Sequence, residues 1–329
     1  MLHIHNGESS ANTLKESTIH GKQFAFRDAL VAGPTPAQVQ GEDWRRLRAA
    51  HLAESYGVNR EECELDLLRQ EEILSIYADQ DEVVLWFEHD LFCQVNLIYL
   101  LDWFNRRDLE KTKLSLICIG KFTGVNNFRG LGELNAEQLT ALFDLRHEVT
   151  TAEMKLASAA WSAYRAPDPT AIERFLSHDT SALPFLRDAF HCHLARFPSL
   201  RNGLGRVENR GLELIDRGLD RFADLFTQFG VTEPIYGLGD FQFWLVLKQL
   251  GAVQMPLLTF ENGENPSGAL DSAKLRDTRF ELTPQGKVVL KGEADFVEMN
   301  GLDEWLGGVH LSADQLWRWD EANEKIVLG

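Results

Sequence analysis

The chain has 329 residues and a formal net charge of −17, with 44 % hydrophobic and 10 % aromatic residues. That apolar content supports a sizeable core and argues against disorder. Residues 1–130 carry a net charge of −6, residues 131–200 −3 and residues 201–329 −8, so no segment has the basic footprint of a nucleic-acid binder.

Leu2-His3-Ile4-His5 reads as a first strand ended by Asn6-Gly7, with a short helix from Ser9 or Ser10 to about Ser17. Gln23 to Arg27 reads as a second strand, running into Asp28 and a loop with Gly33-Pro34-Thr35-Pro36. Two charged helices are expected over 42–56 and 60–78. Val83-Val84-Leu85-Trp86-Phe87 is an apolar run of the kind found in strands buried on both faces. It leads straight into Glu88-His89-Asp90 and then a helix over 90–106. Lys113 to Ile119 is a fourth strand. This order of strands and helices predicts an α/β fold: a Rossmann-like, three-layer domain with a parallel sheet over residues 1–130.

Between Asn135 and Phe197 no strand is expected. Asn135-Ala136-Glu137-Gln138 reads as a helix cap, and Pro167, Pro169 and Pro184 divide residues 131–200 into a helical connecting segment. Residues 201–329 read as a winged-helix-like module, with helices near 206–217, 219–229 and 240–250 followed by strands at 256–260, 279–283 and 287–292. Residues 261–273 read as a mobile loop. The third helix, Asp240 to Lys248, is apolar nearly all round. It lacks the polar face of a DNA-reading helix, so nucleic acid is not the expected partner; a protein partner through 201–329 fits better.

Cys63, Cys93, Cys118 and Cys192 form no C-x-x-C pair and suggest neither a disulfide framework nor a zinc ribbon. The N-terminus lacks the pattern of a signal peptide, and no run of about 18 apolar residues suggests a membrane span. A cytoplasmic protein is therefore expected.

Parallel strands place their carboxyl ends on one sheet edge, where open α/β sheets bind ligands. The four exits are Asn6-Gly7-Glu8-Ser9-Ser10, Arg27-Asp28, Glu88-His89-Asp90 and Gly120-Lys121. From these, His89 is expected as a general base or acid, with Asp28 and Asp90 orienting it. Asn6, Gly7, Ser9, Ser10, Arg27 and Glu88 are expected to contact a small anionic, nucleotide-like ligand. Plainer roles stay open: Asp90 as a helix cap, Glu88 as a neighbour of Arg27 or Arg45, and Cys93 as a buried structural thiol. Glu88, Asp90 and Asp28 also offer oxygens to a divalent ion, but no spacing names a metal or a cofactor. The His3/His5 pair on one strand face permits metal binding. Arg45, Arg46 and Arg48 form the densest basic spot, read as a solvated face. An enzyme and a non-catalytic regulatory protein are both compatible with these residues.

His3-Ile4-His5-Asn6-Gly7, Phe26-Arg27-Asp28-Ala29-Leu30 with Gly33-Pro34, and Trp86-Phe87-Glu88-His89-Asp90-Leu91 with Gln94 resemble a bacterial family of uncharacterised domains, domain-of-unknown-function family eighteen-thirty-five. Leu282-Thr283-Pro284-Gln285-Gly286, Leu290-Lys291-Gly292 and Trp305 to Leu311 resemble that family's C-terminal end. The resemblance spans nearly the whole chain. It implies a bacterial cytosolic protein and supplies no activity.

Overall fold

The computed structural model describes residues 1–261 and 272–329. The expected mobile loop over 261–273 falls almost wholly outside the described residues. In chain order the first elements are β1 (Leu2–His5), α1 (Glu8–Lys15), β2 (Lys22–Ala25), β3 (Gly33–Pro34), α2 (Gly41–Tyr56), α3 (Arg60–Ser75), β4 (Glu82–Glu88), α4 (Leu91–Asn105) and β5 (Lys113–Ile119). There follow α5 (Ala136–Phe143), β6 (His147–Glu148), α6 (Thr151–Tyr164), α7 (Thr170–Leu176) and α8 (Leu186–Leu194). The last third holds α9 (Arg206–Asp216), α10 (Phe222–Thr232), α11 (Asp240–Ala252), β7 (Leu258–Phe260), α12 (Ser272–Asp277), β8 (Phe280–Leu282), α13 (Pro284–Lys291) and α14 (Phe296–Asn300). It ends in two hairpins, β9 (Glu304–Gly307) with β10 (Val309–Leu311), and β11 (Trp317–Asp320) with β12 (Lys325–Leu328).

The main sheet has the order β2-β1-β4-β5-β6, parallel throughout except for β6. Its centre is β4, in which Val83 to Phe87 are wholly buried. The two-residue period of a strand divides them between two cores. Val83, Leu85 and Phe87 join the large cluster with α4, α6 and α8, while Val84 and Trp86 join a smaller one with Leu14, Leu131, Leu139 and Leu142. Helical layers therefore cover both faces of the sheet. The large cluster continues without a break into Phe222, Phe243, Trp244, Phe280 and Ile326.

Long-range pairing ties the two ends of the chain together. The expected loop at Gly33-Pro34 is a short strand, parallel to β9. Arg165, at the end of α6, donates to the carbonyls of Thr35 (3.2 Å) and Val39 (2.8 Å). Among the described residues no helix is long and apolar enough to cross a membrane.

Three readings are corrected. Residues 135–197 do contain a strand, β6, which pairs antiparallel with β5 over two residues, too few to leave a sequence pattern. Lys287 to Gly292, expected as a strand, lies in helix α13. Its β-branched Val288 and Val289 pull the reading toward a strand, but its ends decide: Thr283 accepts from the Gly286 amide at 2.9 Å, Pro284 opens the first turn and Gly292 closes it at φ 77°. His3 and His5 do share a strand face, but no metal pair results. Trp86 Nε1 donates to His3 Nδ1 at 3.2 Å, and His5 stacks on Trp86 while bonding Ser10 Oγ and Gln23 Oε1. Burial lowers both imidazoles to about 4, so they are neutral core groups at pH 7.

Candidate functional site

Strand order fixes where a ligand fits. From β1 the chain moves outward to β2; from β4 it moves the other way, to β5. The carboxyl ends of β1 and β4 therefore border the gap left by two diverging connections, the place where open α/β sheets bind ligands. A cavity of about 470 Å³ opens there, within the usual size range for small-molecule sites. Asn6, Gly7, Ser9 and Ser10 line it from the β1 exit, and Glu88, Asp90 and Cys93 from the β4 exit.

Each carboxyl is held by its local structure. Asp90 is the N-cap of α4 and accepts from the Cys93 amide at 2.8 Å. Glu88 Oε1 accepts from the Leu131 amide at 2.7 Å, and its Oε2 accepts from the Cys93 thiol at 2.6 Å. Asn6 Nδ2 meets the same sulfur at 2.8 Å, and Asn96 holds the Asn6 carbonyl at 2.7 Å. Burial, with the neighbouring Asp90 charge, pushes the Glu88 carboxyl up to about 7. Burial also raises Asp90, and burial with the two carboxylates raises the Cys93 thiol well above its ordinary range. Glu88 thus exchanges its proton near neutral pH. Oxygens of Glu88 and Asp90 and the sulfur of Cys93 lie within 4.8 Å of one another, a spacing that suits a metal donor set. The same Cys93 sulfur and Glu88 oxygen lie 2.6 Å apart in a hydrogen-bonded network.

The opposite wall comes from distant sequence. Arg129, Gly130, Gly132 and Glu133 approach from the loop before α5, and Phe226, Phe229, Gly230 and Glu233 from α10 and its end. Gly237 closes the floor at φ 63°, so tightly that a β-carbon there would lie 2.1 Å from Asp90 Oδ1. Gly237→Ala is therefore expected to destabilise the protein by about 2 kcal/mol or more, through steric overlap and a left-handed backbone. Thermal melting checks this, and an unchanged melting temperature would contradict the tight packing. Glu233 is neutralised by Arg206 at 2.5 Å. Among the described residues, the Arg129 side chain has neither an ion pair nor a hydrogen bond.

The expected His89–Asp28–Asp90 trio does not form a hydrogen-bonded set. Asp28 is buried against Arg48, 2.7 Å from Nη2. Asp90 caps α4. The His89 ring packs edge-on to Phe185, with centroids 6.1 Å apart, and its Nδ1 is buried without a partner. Neither Asp28 nor His89 lines the cavity. Arg27, expected to touch the ligand, lies outside the lining and pairs with Glu8 at 2.5 Å. The basic spot on α2 divides: Arg45 pairs with Glu71, Arg46 with Glu42, and Arg48 turns inward.

Cys93, expected as a buried structural thiol, is buried and also lines the cavity. It sits three positions after a capping aspartate, where the helix geometry returns its side chain to the strand exit. Arg129, Phe226 and Phe229 reach the site only through tertiary packing, so no local pattern marks them. No protein-family model matches the chain, and no curated protein matches it.

Proposed function

We propose that the protein is an enzyme that binds a small anionic, nucleotide-like ligand in the switch-point cavity and uses Glu88 to move a proton on it. The observation that carries this reading is Glu88 itself: a carboxyl facing a ligand-sized cavity at the sheet's carboxyl edge and titrating near neutrality. An anion would lie over Gly7, Ser9 and Ser10, where the first turn of α1 has no side-chain cap, and beside Arg129, which has no ion pair among the described residues. The Arg27–Glu8 pair takes one negative charge out of that approach. Phe226 and Phe229 offer an apolar wall to a base or sugar. Glu88 replaces His89 as the proton carrier, its carboxyl raised by burial and by the Asp90 charge and lowered in part by the Cys93 and Leu131 hydrogen bonds. The β2-β1-β4-β5 order supports a Rossmann-like reading of residues 1–130, and membership of the resembled bacterial family belongs to the same proposal.

Thermal shift tests this with a nucleoside monophosphate, a pentose phosphate, a hexose phosphate and inorganic phosphate, each with and without magnesium. At about a hundred times Kd a true ligand adds about 2.7 kcal/mol of stability. The expected result is stabilisation of the wild type that shrinks in Arg129→Gln. No shift with any probe, or an equal shift in the variant, counts against the site.

A second reading, a regulatory protein with an interaction module at 201–329, is favoured by one observation. The order α9, an antiparallel bridge between Arg221 and Arg279, α10, α11 and the antiparallel β7–β8 pair, with α12 between its strands, supports a winged-helix-like reading. Phe243, Trp244, Leu247 and Leu250 of α11 are buried, which favours packing over DNA reading. In this reading residues 131–200 are the helical layer connecting the module to the sheet.

A further inference from the structure

A second cavity, of about 540 Å³, shares Leu238 with the switch-point cavity and lies between the 31–34 turn, α2, α11 and the start of β9. Arg196, Val246, Gln249 and Glu304 line it and also line a small recess that reaches Glu208. Arg196, Glu304 and Glu208 meet where the two spaces join, and none of the three forms an ion pair among the described residues; His51, Glu54 and Asp303 also line the larger cavity. Arg196 donates through Nη1 to the Val31 carbonyl at 2.6 Å, its only side-chain hydrogen bond among the described residues. Glu208 Oε2 is buried with no partner. Glu304 forms no ion pair among the described residues. Burial and the Glu208 charge push the Glu304 carboxyl up to about 7, and burial raises Glu208. The Arg196 charge lowers both, so the three groups lie within electrostatic reach of one another without closing a salt bridge.

A partly buried charge without a partner is costly, and a pair of opposite sign that stays open is relieved by a ligand bearing both signs. A phosphate would meet Glu304 and Glu208, with Glu54 and Asp303 also in the lining, for one guanidinium. A simple amine would face Arg196. A zwitterion satisfies both ends: its ammonium meets Glu304 and Glu208, and its carboxylate meets Arg196 through the paired N–H groups that suit carboxylates. Val31, Leu245, Val246 and Trp305 supply apolar surface beside these charges. We propose that this second cavity binds an α-amino acid with an apolar side chain, held at both charged ends by Arg196 and the Glu304–Glu208 pair.

The proposal is independent of the activity assigned to the switch-point cavity. Calorimetric titration of the full-length protein with L-leucine and L-phenylalanine tests it. Isoamylamine, which lacks the carboxylate, and isocaproate, which lacks the ammonium, serve as single-charge probes. The expected result is one-to-one binding of an amino acid, with both single-charge probes at least tenfold weaker. Glu304→Gln and Arg196→Gln, the latter keeping a donor for Val31, should each weaken binding at least tenfold while circular dichroism stays native. Glu88→Gln, in the other cavity, should leave this binding unchanged. The proposal is overturned if neither amino acid binds, if binding survives both folded variants, or if Glu88→Gln abolishes it while Glu304→Gln does not.

Discussion

Arg48→Met is expected to destabilise the protein by about 3–5 kcal/mol, the range for removing one partner of a buried ion pair. Arg48 is fully buried. Its guanidinium reaches Asp28 Oδ1 at 2.7 Å and donates to the carbonyls of Ala32 at 2.8 Å and Ala29 at 3.0 Å. Methionine fills similar space but leaves the Asp28 carboxylate and these carbonyls in a dry interior. The double variant Arg48→Met/Asp28→Leu should recover part of the loss, because it removes the stranded charge as well. Equilibrium unfolding in urea reads both values. A loss below about 1 kcal/mol for the single variant would mean that Asp28 finds water or another partner, and would reopen it as a site residue.

Glu88→Gln is the second large effect, and its sign depends on pH. Glu88 has an ordinary pKa of 4.5 and a folded value of about 7. Between those values the native state holds a proton that the unfolded chain has released. The stabilising contribution is therefore full below about 4.5 and is lost as pH rises through about 7, a difference on the order of 3 kcal/mol. Glutamine cannot ionise, and its carbonyl still suits the Leu131 amide. Relative to wild type, the variant should gain stability steadily from pH 4.5 to pH 7.5. Taking the difference between the two proteins cancels the buried histidines, which are neutral in the fold and impose the opposite slope at acid pH. In catalysis, loss of this carboxyl should slow a proton-transfer step by about 10²–10⁴-fold. Urea unfolding at several pH values checks the stability effect; a pH-independent difference contradicts it.

These two residues also show how far the sequence is legible. The β4 run and its polar exit are local patterns, and the structure places both as read, while Asp90 takes the plainer of its two expected roles, the helix cap. Arg45, Arg46 and Arg48 look alike in sequence, yet successive helical positions turn about 100°, and only Arg48 faces the core. Which of the three meets Asp28 is decided by how α2 lies on the sheet, and no local pattern carries that. The choice between Glu88 and His89 was readable in part. Strand alternation puts Glu88 on the side of Val84 and Trp86, toward the Leu131 loop, while His89 lies past the strand end and turns to Phe185. The far wall, Phe226 to Gly237, was illegible because those residues reach the cavity only after the last third of the chain packs on the sheet.

The central claim is that Glu88 is a proton carrier facing the switch-point cavity. Its most direct test is a carbon-13 NMR titration of the glutamate side-chain carboxyls, comparing wild type with Glu88→Gln to assign the resonance. The account predicts one glutamate signal, missing from the variant, with a midpoint near pH 7 and a shift on addition of a phosphate ester that binds. A Glu88 signal that titrates in the ordinary carboxylate range, near 4.5, would contradict it.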